Sequence, residues 1–343
     1  MRIAQRSLVA TSQPAAPAKA HAATGPAAPG PKAPVLSRGE ALERIERFLA
    51  DEQKLKDGTH PSGLRLQPNY ESIFKAHPAG QAKGTVVLYH GFTAGPWQYT
   101  ELASKLFAEG YDVYAPRMPG HGLMTPDGQA TAQEVPRAHE RGRYEAFVDD
   151  RFAEAHGLGG SVYMVGLSGG GNLALRTAEK HPEVKGTVAM APYVGPGKWY
   201  SLGTHALALL DKVSFGLFKR LFNKIPHGKN EIPSLEDLSP HTNGSFGQAW
   251  AIRAVGGNLE KIQTPVQFLT TEGDFLSGKG PVGKLLARSG GDEKHGWYHF
   301  RKEDKVPHAM VSKQENKQTQ TVEAIDGIVL DFIRSGKQAD RWP

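Results

Sequence analysis

The sequence predicts an α/β architecture, a mainly parallel sheet with helices on both faces and a cap inserted above it. Three observations predict this. Compact β-rich runs alternate with helical patterns from residue 85 to residue 333. The rhythm breaks between Pro192 and Lys261, an interval too long for a simple crossover. Hydrophobic residues make up 39% of the 343 positions, enough for a sizeable core, yet no run approaches the about 18 consecutive apolar residues of a membrane span.

Residues 1–36 are rich in Ala and Pro and read as a disordered tail, because such a segment buries too little apolar surface to offset its ordering entropy. A cytoplasmic location is expected. Export is the alternative: Arg2 and Arg6 make a basic start and Ala18-Lys19-Ala20 is a small-residue cleavage pattern, but Gln13 and two prolines interrupt the stretch between them. The ordered domain is expected over 37–335, followed by a short tail at 336–343.

Ser37-Arg38-Gly39-Glu40 is a helix capping box, and Leu42, Ile45, Phe48 and Leu49 recur at helical spacing through Glu52. Strands are expected at Thr85–Tyr89, Tyr111–Ala115, Val162–Val165, Gly186–Met190, Val266–Thr270 and Trp297–Phe300. Helices are expected at 97–109, at Gly170–Lys180 and at Thr321–Ile333, the last burying Val322, Ile325, Ile328, Val329 and Phe332.

The cap is expected over about 193–260, with helical stretches at Ala206–Ile225 and Ser245–Val255. In the first of these, Leu207, Leu210, Val213, Leu217, Phe218, Leu221 and Ile225 share one face, with Arg220 and Lys224 near its margin and Lys212 and Lys219 farther round. Packing on the sheet domain is the preferred reading. A lid in transient contact with a lipid surface, hinged at Gly216, is the alternative.

The net charge of +6 comes from 41 basic and 35 acidic residues that are mostly interspersed, which gives no support for a nucleic-acid partner. Cysteine is absent, which excludes disulfides, thiolate catalysis and Cys-based metal sites. The 14 histidines lack ligand spacing and there is no H-E-x-x-H, so neither a metal nor a cofactor is expected.

Gly166-Leu167-Ser168-Gly169-Gly170 matches G-x-S-x-G between a strand and a helix, the setting of a nucleophile elbow. The turn pushes the serine outward, and the helix N-terminus adds donors where negative charge develops. His90-Gly91-Phe92-Thr93-Ala94-Gly95 directly follows the Thr85–Tyr89 strand. An oxyanion needs preformed donors, and the backbone N–H groups of Phe92 and Gly169 are the nominees. Phe92 also suits an apolar pocket wall, and His90 is expected to hydrogen-bond within its loop rather than act as a base.

Together with Pro116-Arg117-Met118-Pro119-Gly120-His121-Gly122, Gly273-Asp274 and Pro307-His308, these motifs make residues 60–335 resemble the α/β-hydrolase superfamily, most closely bacterial carboxylesterases and monoacylglycerol lipases. The resemblance implies an eight-stranded sheet, a cap and a triad in the order Ser…Asp/Glu…His. It gives the segment around His121 a structural role. Relatives that are dehalogenases and epoxide hydrolases carry aspartate at the elbow, where this chain has Ser168.

A serine hydroxyl needs a base, and the base needs an acid that fixes its tautomer. Asp274 follows the Val266–Thr270 strand, where the resemblance places the acid, with Glu272 and Asp292 as competitors. His308 follows the Trp297–Phe300 strand, with His295 and His299 as alternatives. The expected function is a serine hydrolase that cleaves small carboxylic esters, short- to medium-chain or monoacylglycerol, through an acyl-enzyme. The alternatives are a thioesterase, amidase or C–C hydrolase with the same triad, or a non-catalytic small-molecule-binding protein.

Overall fold

The computed structural model describes residues 35–194, 246–256, 262–288 and 294–341. Residues 1–34 of the tail expected over 1–36, and the cap stretch Ala206–Ile225 with its basic margin and Gly216 hinge, lie outside the described residues.

In chain order the elements are α1 (Arg38–Asp57), β1 (Arg65–Leu66), β2 (Ile73–Lys75), β3 (Gly84–Tyr89), α2 (Thr100–Ala108), β4 (Asp112–Ala115), β5 (Leu123–Met124) and β6 (Ala130–Thr131). Next come α3 (Arg141–Leu158), β7 (Ser161–Leu167), α4 (Gly169–Lys180), β8 (Val184–Met190) and α5 (Phe246–Val255). The chain then runs through β9 (Val266–Thr271), α6 (Lys279–Arg288), β10 (Gly296–Phe300) and α7 (Thr319–Ser335).

Seven of these strands form one sheet in the order β10-β9-β8-β7-β3-β4-β2. Each neighbouring pair is parallel except β2 with β4, at one edge. The eight strands implied by the resemblance are thus seven among the described residues. β1, β5 and β6 make a separate small antiparallel sheet.

Strand β3 shows how the period of two builds both faces. Val87 and Tyr89 enter a core with Tyr144, Phe147 and Val148 of α3 and Leu173 and Leu175 of α4. Val86 and Leu88 enter the opposite core with Leu102 and Leu106 of α2 and Ile325 and Val329 of α7. Burial on both faces is what a parallel sheet requires. At the far edge, the segment after α7 runs along β10: Arg341 N–H donates to Trp297 O and His299 N–H to Arg341 O. These bonds occupy backbone groups that an open edge strand would expose.

From β3 the chain moves outward to β4 and then returns to the other side of β3 at β7. The order therefore reverses between β3 and β7. In open α/β sheets such a switch point leaves a crevice outside the carboxyl ends of the two strands. The loop at His90 and the turn at Ser168 both leave from that crevice.

The capping box at Ser37 forms, with Ser37 N–H donating to Glu40 Oε2 at 2.8 Å and Glu40 N–H to Ser37 Oγ at 3.3 Å. The helix it starts continues five residues past Glu52 and closes on Gly58 at φ 71°. Two helices, α3 and α6, and strands β1, β2, β5 and β6 have no counterpart in the sequence reading. Helix α3 buries Arg151 and Glu154 among its apolar residues, which blurs the periodicity. Arg151 donates to Tyr114 OH at 2.9 Å and Glu154 Oε1 at 2.7 Å, and its guanidinium lies 4.4 Å from the centre of the Phe48 ring.

Burial pushes the Glu154 carboxyl up to about 7, with Arg151 opposing and Asp150 reinforcing the shift. An acid with a higher pKa in the folded than in the unfolded chain makes the native state bind more protons. Its contribution to stability therefore falls as pH rises from about 4.5 to about 7 and levels off above. Glu154→Gln keeps the acceptor for Arg151 and removes the titration. The melting temperature of the wild type is expected to drop by a few degrees more than that of the variant between pH 5 and pH 7.5. Parallel curves would show that Glu154 does not titrate in this range.

Candidate active site

Ser168 occupies the turn between β7 and α4 with φ 55° and ψ −119°. Such a conformation is costly for a residue with a Cβ and persists only when its surroundings fix it. Here Ser168 N–H donates to Met190 O at 2.8 Å, and Ser168 O accepts from Asn172 N–H and Tyr193 N–H, both at 3.2 Å. The glycines of the motif allow the tight turn. A Cβ on Gly166 would stand 2.1 Å from Gly170 O, and one on Gly170 would stand 2.0 Å from Tyr89 O and 2.4 Å from His90 O. The elbow therefore rests directly on the end of β3. Gly169 lies beside the neighbouring loop: a Cβ there would be 3.2 Å from Phe92 Cβ and 2.7 Å from Ile252 Cδ1 of α5. The two nominated donors are thus next to each other.

The His90 loop is pinned from several sides. His90 Nε2 accepts from Met118 N–H at 3.0 Å, so its proton sits on Nδ1, 2.9 Å from Gly91 O. Burial, aided by His121 and opposed in part by the bond to Gly91, holds the His90 pKa well below the ordinary imidazole range. A neutral imidazole with both nitrogens engaged serves as a brace between two backbone segments and has no lone pair left for a substrate proton. Gly91 O also accepts from Ala94 N–H at 3.1 Å. In a trans peptide the N–H points opposite to the C=O, so Phe92 N–H is directed away from His90 Nδ1 and Ala94 N–H. His121 is buried, with Nδ1 3.1 Å from Pro119 O, and burial lowers its pKa to about 4. Its ring meets those of His90 and Phe92 edge-on, with centroids 5.3 Å and 5.6 Å away.

The loops after β9 and β10 bring Asp274 and His308 together. Asp274 Oδ2 lies 2.7 Å from His308 Nδ1, while Oδ1 accepts from Leu276 N–H at 2.9 Å and Ser277 N–H at 3.2 Å. Burial pushes the Asp274 carboxyl up, but the bond to His308, its charge and the two amides outweigh burial and hold it below the ordinary carboxylate range. Asp274 is therefore an anion held by three donors, able to fix the His308 tautomer.

The competing residues have other partners. Glu272 Oε2 lies 2.9 Å from His299 Nε2, and His299 Nδ1 lies 2.8 Å from Thr270 Oγ1. The ring of His295 is buried and its Nδ1 accepts from Val266 N–H at 3.1 Å. Asp292 lies outside the described residues. Ser168 Oγ forms no hydrogen bond with His308 among the described residues, so the pair is closed on the acid side alone. The sequence reading quoted Arg117 only as part of the Pro116–Gly122 segment and did not single out Gln98, so both polar braces of this site went unfound.

Comparison with known proteins places the architecture. The family described as "Serine aminopeptidase, S33" matches residues 80–239. A thermostable monoacylglycerol lipase of Bacillus sp. (strain H-257) is 34% identical over 125 residues, which is 36% of this chain and 47% of the relative. The match thus spans about half the length of that curated relative. A soluble variant of monoglyceride lipase from Saccharomyces cerevisiae superposes with a TM-score of 0.59 at 18% identity, over 78% of this chain and 92% of the other. A monoacylglycerol lipase from Paleococcus ferrophilus gives 0.54 at 19% identity, over 78% and 98%. The chain has the α/β-hydrolase fold. Its likeness to monoacylglycerol lipases and esterases agrees with the resemblance carried by its motifs. Among the described residues, no cluster of His, Asp and Glu could hold a metal, and no helix is long and apolar enough to cross a membrane.

The backbone contacts of the elbow leave no room for a methyl group. Gly170→Ala is expected to cost about 3 kcal/mol or more in urea unfolding, since two carbonyl oxygens would have to move. Gly327→Ala on α7 is the control: nothing lies within 4 Å of a Cβ there, and the helix is expected to gain a few tenths to about 1 kcal/mol. Equal effects at the two sites would contradict the packing described for the turn.

Proposed function

We propose that this protein is a serine hydrolase that cleaves carboxylic esters through an acyl-enzyme, with short- to medium-chain acyl esters or monoacylglycerols as its substrate class. The observation that carries the reading is the part-buried Asp274–His308 contact at 2.7 Å on loops at the same sheet edge as the strained Ser168 turn.

In this reading Ser168 Oγ attacks the ester carbonyl while His308 Nε2 takes the hydroxyl proton. Asp274 keeps the other proton on Nδ1 and stabilises the imidazolium that forms. The oxyanion is received by Phe92 N–H and Gly169 N–H; the first residues of a helix have no intrahelical acceptor for their amides. Collapse breaks the bond to the alkoxy oxygen, and His308 returns its proton to that oxygen as the alcohol leaves. Water then attacks the acyl-enzyme, gives a proton to His308, and the second collapse releases the acid and restores Ser168.

Two lines support the substrate class: the likeness to monoacylglycerol lipases and the apolar wall formed by Phe92 and Ile252. Amide hydrolysis is the second reading, favoured by the aminopeptidase description of the matching family. A panel of matched esters, thioesters and amides of increasing acyl length separates the two.

A fluorophosphonate is expected to label the wild type at Ser168, as located by peptide mapping. Ser168→Ala should abolish labelling, and His308→Ala should lower kcat by about 10⁴-fold or more while the fold persists, as in triads that act as a unit. A folded wild type that neither labels nor turns over any ester would leave a binding protein as the reading.

The choice of acid has its own test. Asp274→Asn should reduce kcat by about 10⁴-fold through the wrong imidazole tautomer. Glu272→Gln, which loosens only His299 and Lys279, should stay within about threefold of the wild type. The reverse pattern would move the acid to Glu272.

A further inference from the structure

The two halves of the site come from distant parts of the chain, and one buried side chain spans them. Gln98, 2% exposed, lies in the 3₁₀ turn Pro96–Tyr99. Its Oε1 accepts from Gly91 N–H at 2.8 Å, and its Nε2 donates to Glu315 Oε2 at 2.6 Å. The two partners fix the orientation of the amide. An N–H needs the oxygen and a carboxylate needs the NH₂, so a flipped amide would lose both bonds. The turn is itself anchored, since the adjacent Tyr99 is fully buried and donates to Tyr89 O at 2.9 Å.

Both ends of this bridge reach the chemistry proposed above. On one side is the peptide that precedes Phe92. Gly91 is held at its N–H by Gln98 and at its C=O by His90 and Ala94, so the direction of Phe92 N–H follows from both. On the other side is the loop that carries His308. Within it Glu315 N–H and Asn316 N–H both donate to Ser312 O, Asn316 Nδ2 donates to Met310 O at 3.0 Å, and Met310 N–H donates to His308 O at 3.0 Å. A displacement of Glu315 is therefore passed to His308 through short, bonded steps rather than absorbed by slack loop.

We propose that Gln98 and Glu315 are a pair of positioning residues that hold the oxyanion-donor loop and the base-bearing loop at a fixed separation. The inference rests on the serine-hydrolase reading. Neither residue touches the reacting atoms. Their effect falls on the transition state, where the oxyanion must meet Phe92 N–H while His308 is in reach of the Ser168 proton. A misplacement of about 1 Å in such an arrangement can cost about 100-fold in rate.

The pair can be swapped, which gives a test that simple destabilisation would not pass. Gln98→Glu sets one carboxylate against another. Glu315→Gln keeps an acceptor for the Gln98 amide. The double variant Gln98→Glu/Glu315→Gln restores both bonds, with the carboxylate accepting from Gly91 N–H and from the new amide. The wild type and these three variants are compared by kcat and KM on p-nitrophenyl butyrate and by the rate of fluorophosphonate labelling, each below its own melting temperature. Gln98→Glu is expected to lower kcat about 30-fold or more with KM within about twofold, Glu315→Gln to cost about threefold, and the double variant to recover to within about fivefold of the wild type. If Gln98→Glu does not fold, Gln98→Met takes its place: it removes both bonds at similar volume and should lower kcat about tenfold with KM unchanged.

An active wild type with a double variant as slow as Gln98→Glu overturns the proposal. So does a Gln98→Glu or Gln98→Met enzyme that melts earlier yet turns over at the wild-type rate. A wild type that neither labels nor turns over overturns the hydrolase reading itself, and this inference with it.

Discussion

At Ser168 a residue with a side chain holds a backbone conformation, φ 55° and ψ −119°, that its own Cβ disfavours. A strained position of this kind costs of order 1–3 kcal/mol and must be over-determined by its neighbours. Three features over-determine it here. Strand β8 supplies Met190 O for the Ser168 amide, α4 and the segment after β8 supply donors for its carbonyl, and the missing side chains of Gly166 and Gly170 let β7, α4 and the end of β3 meet at backbone distance. The rest of the site follows from that contact. Because Gly170 sits on Tyr89 O and His90 O, the first residues of α4 and the loop after β3 share one small volume, and Gly169 faces Phe92 within it.

The sheet explains why the other groups gather at the same edge. Parallel strands end together, so the loops after β3, β7, β9 and β10 all emerge on one side although they are far apart in sequence. The imidazoles at that edge divide by environment. His90 is enclosed, and both of its nitrogens are occupied by backbone groups, so it is a neutral brace. His121 is enclosed as well, and burial favours its neutral form. His308 is partly open and faces an anion, Asp274, that three donors keep charged. Of these three rings, it is the one that meets a carboxylate.

The sequence made the strands and the pairing of Asp274 with His308 more legible than the supports. Each of the six strands expected from compact apolar runs is present within two residues of its reading, because burial on both faces leaves little else that those runs can be. The Asp274–His308 contact was legible from order and placement, whereas the pairing of Glu272 with His299 was not. Helix α3 was not legible, since Arg151 and Glu154 stand at buried positions where the period calls for apolar residues. Helix α6 was hidden by Gly280, Pro281 and Gly283 within one short segment. The Gln98–Glu315 bridge left no trace at all: it joins residues 217 apart, and a lone glutamine carries no periodicity and no motif.

Helix α1 shows how far the scaffold of the site extends. It precedes residues 80–239, the segment that the family model matches, yet its second half carries a buried carboxylate that reaches the segment after β4. Glu52 is buried and accepts from Arg117 Nε at 2.9 Å and from both the N–H and the hydroxyl of Ser72, at 3.0 Å and 2.9 Å. Arg117 in turn donates to His121 O at 2.8 Å, and the His121 ring lies edge-on against Phe92 and His90. Removing one member of a buried, hydrogen-bonded ion pair leaves the other charge uncompensated, at a cost of about 3–5 kcal/mol. The helix therefore cannot be treated as an appendage. Through one carboxylate it fixes the Pro116–Gly122 segment, and through that segment it limits where the ring of Phe92 can lie.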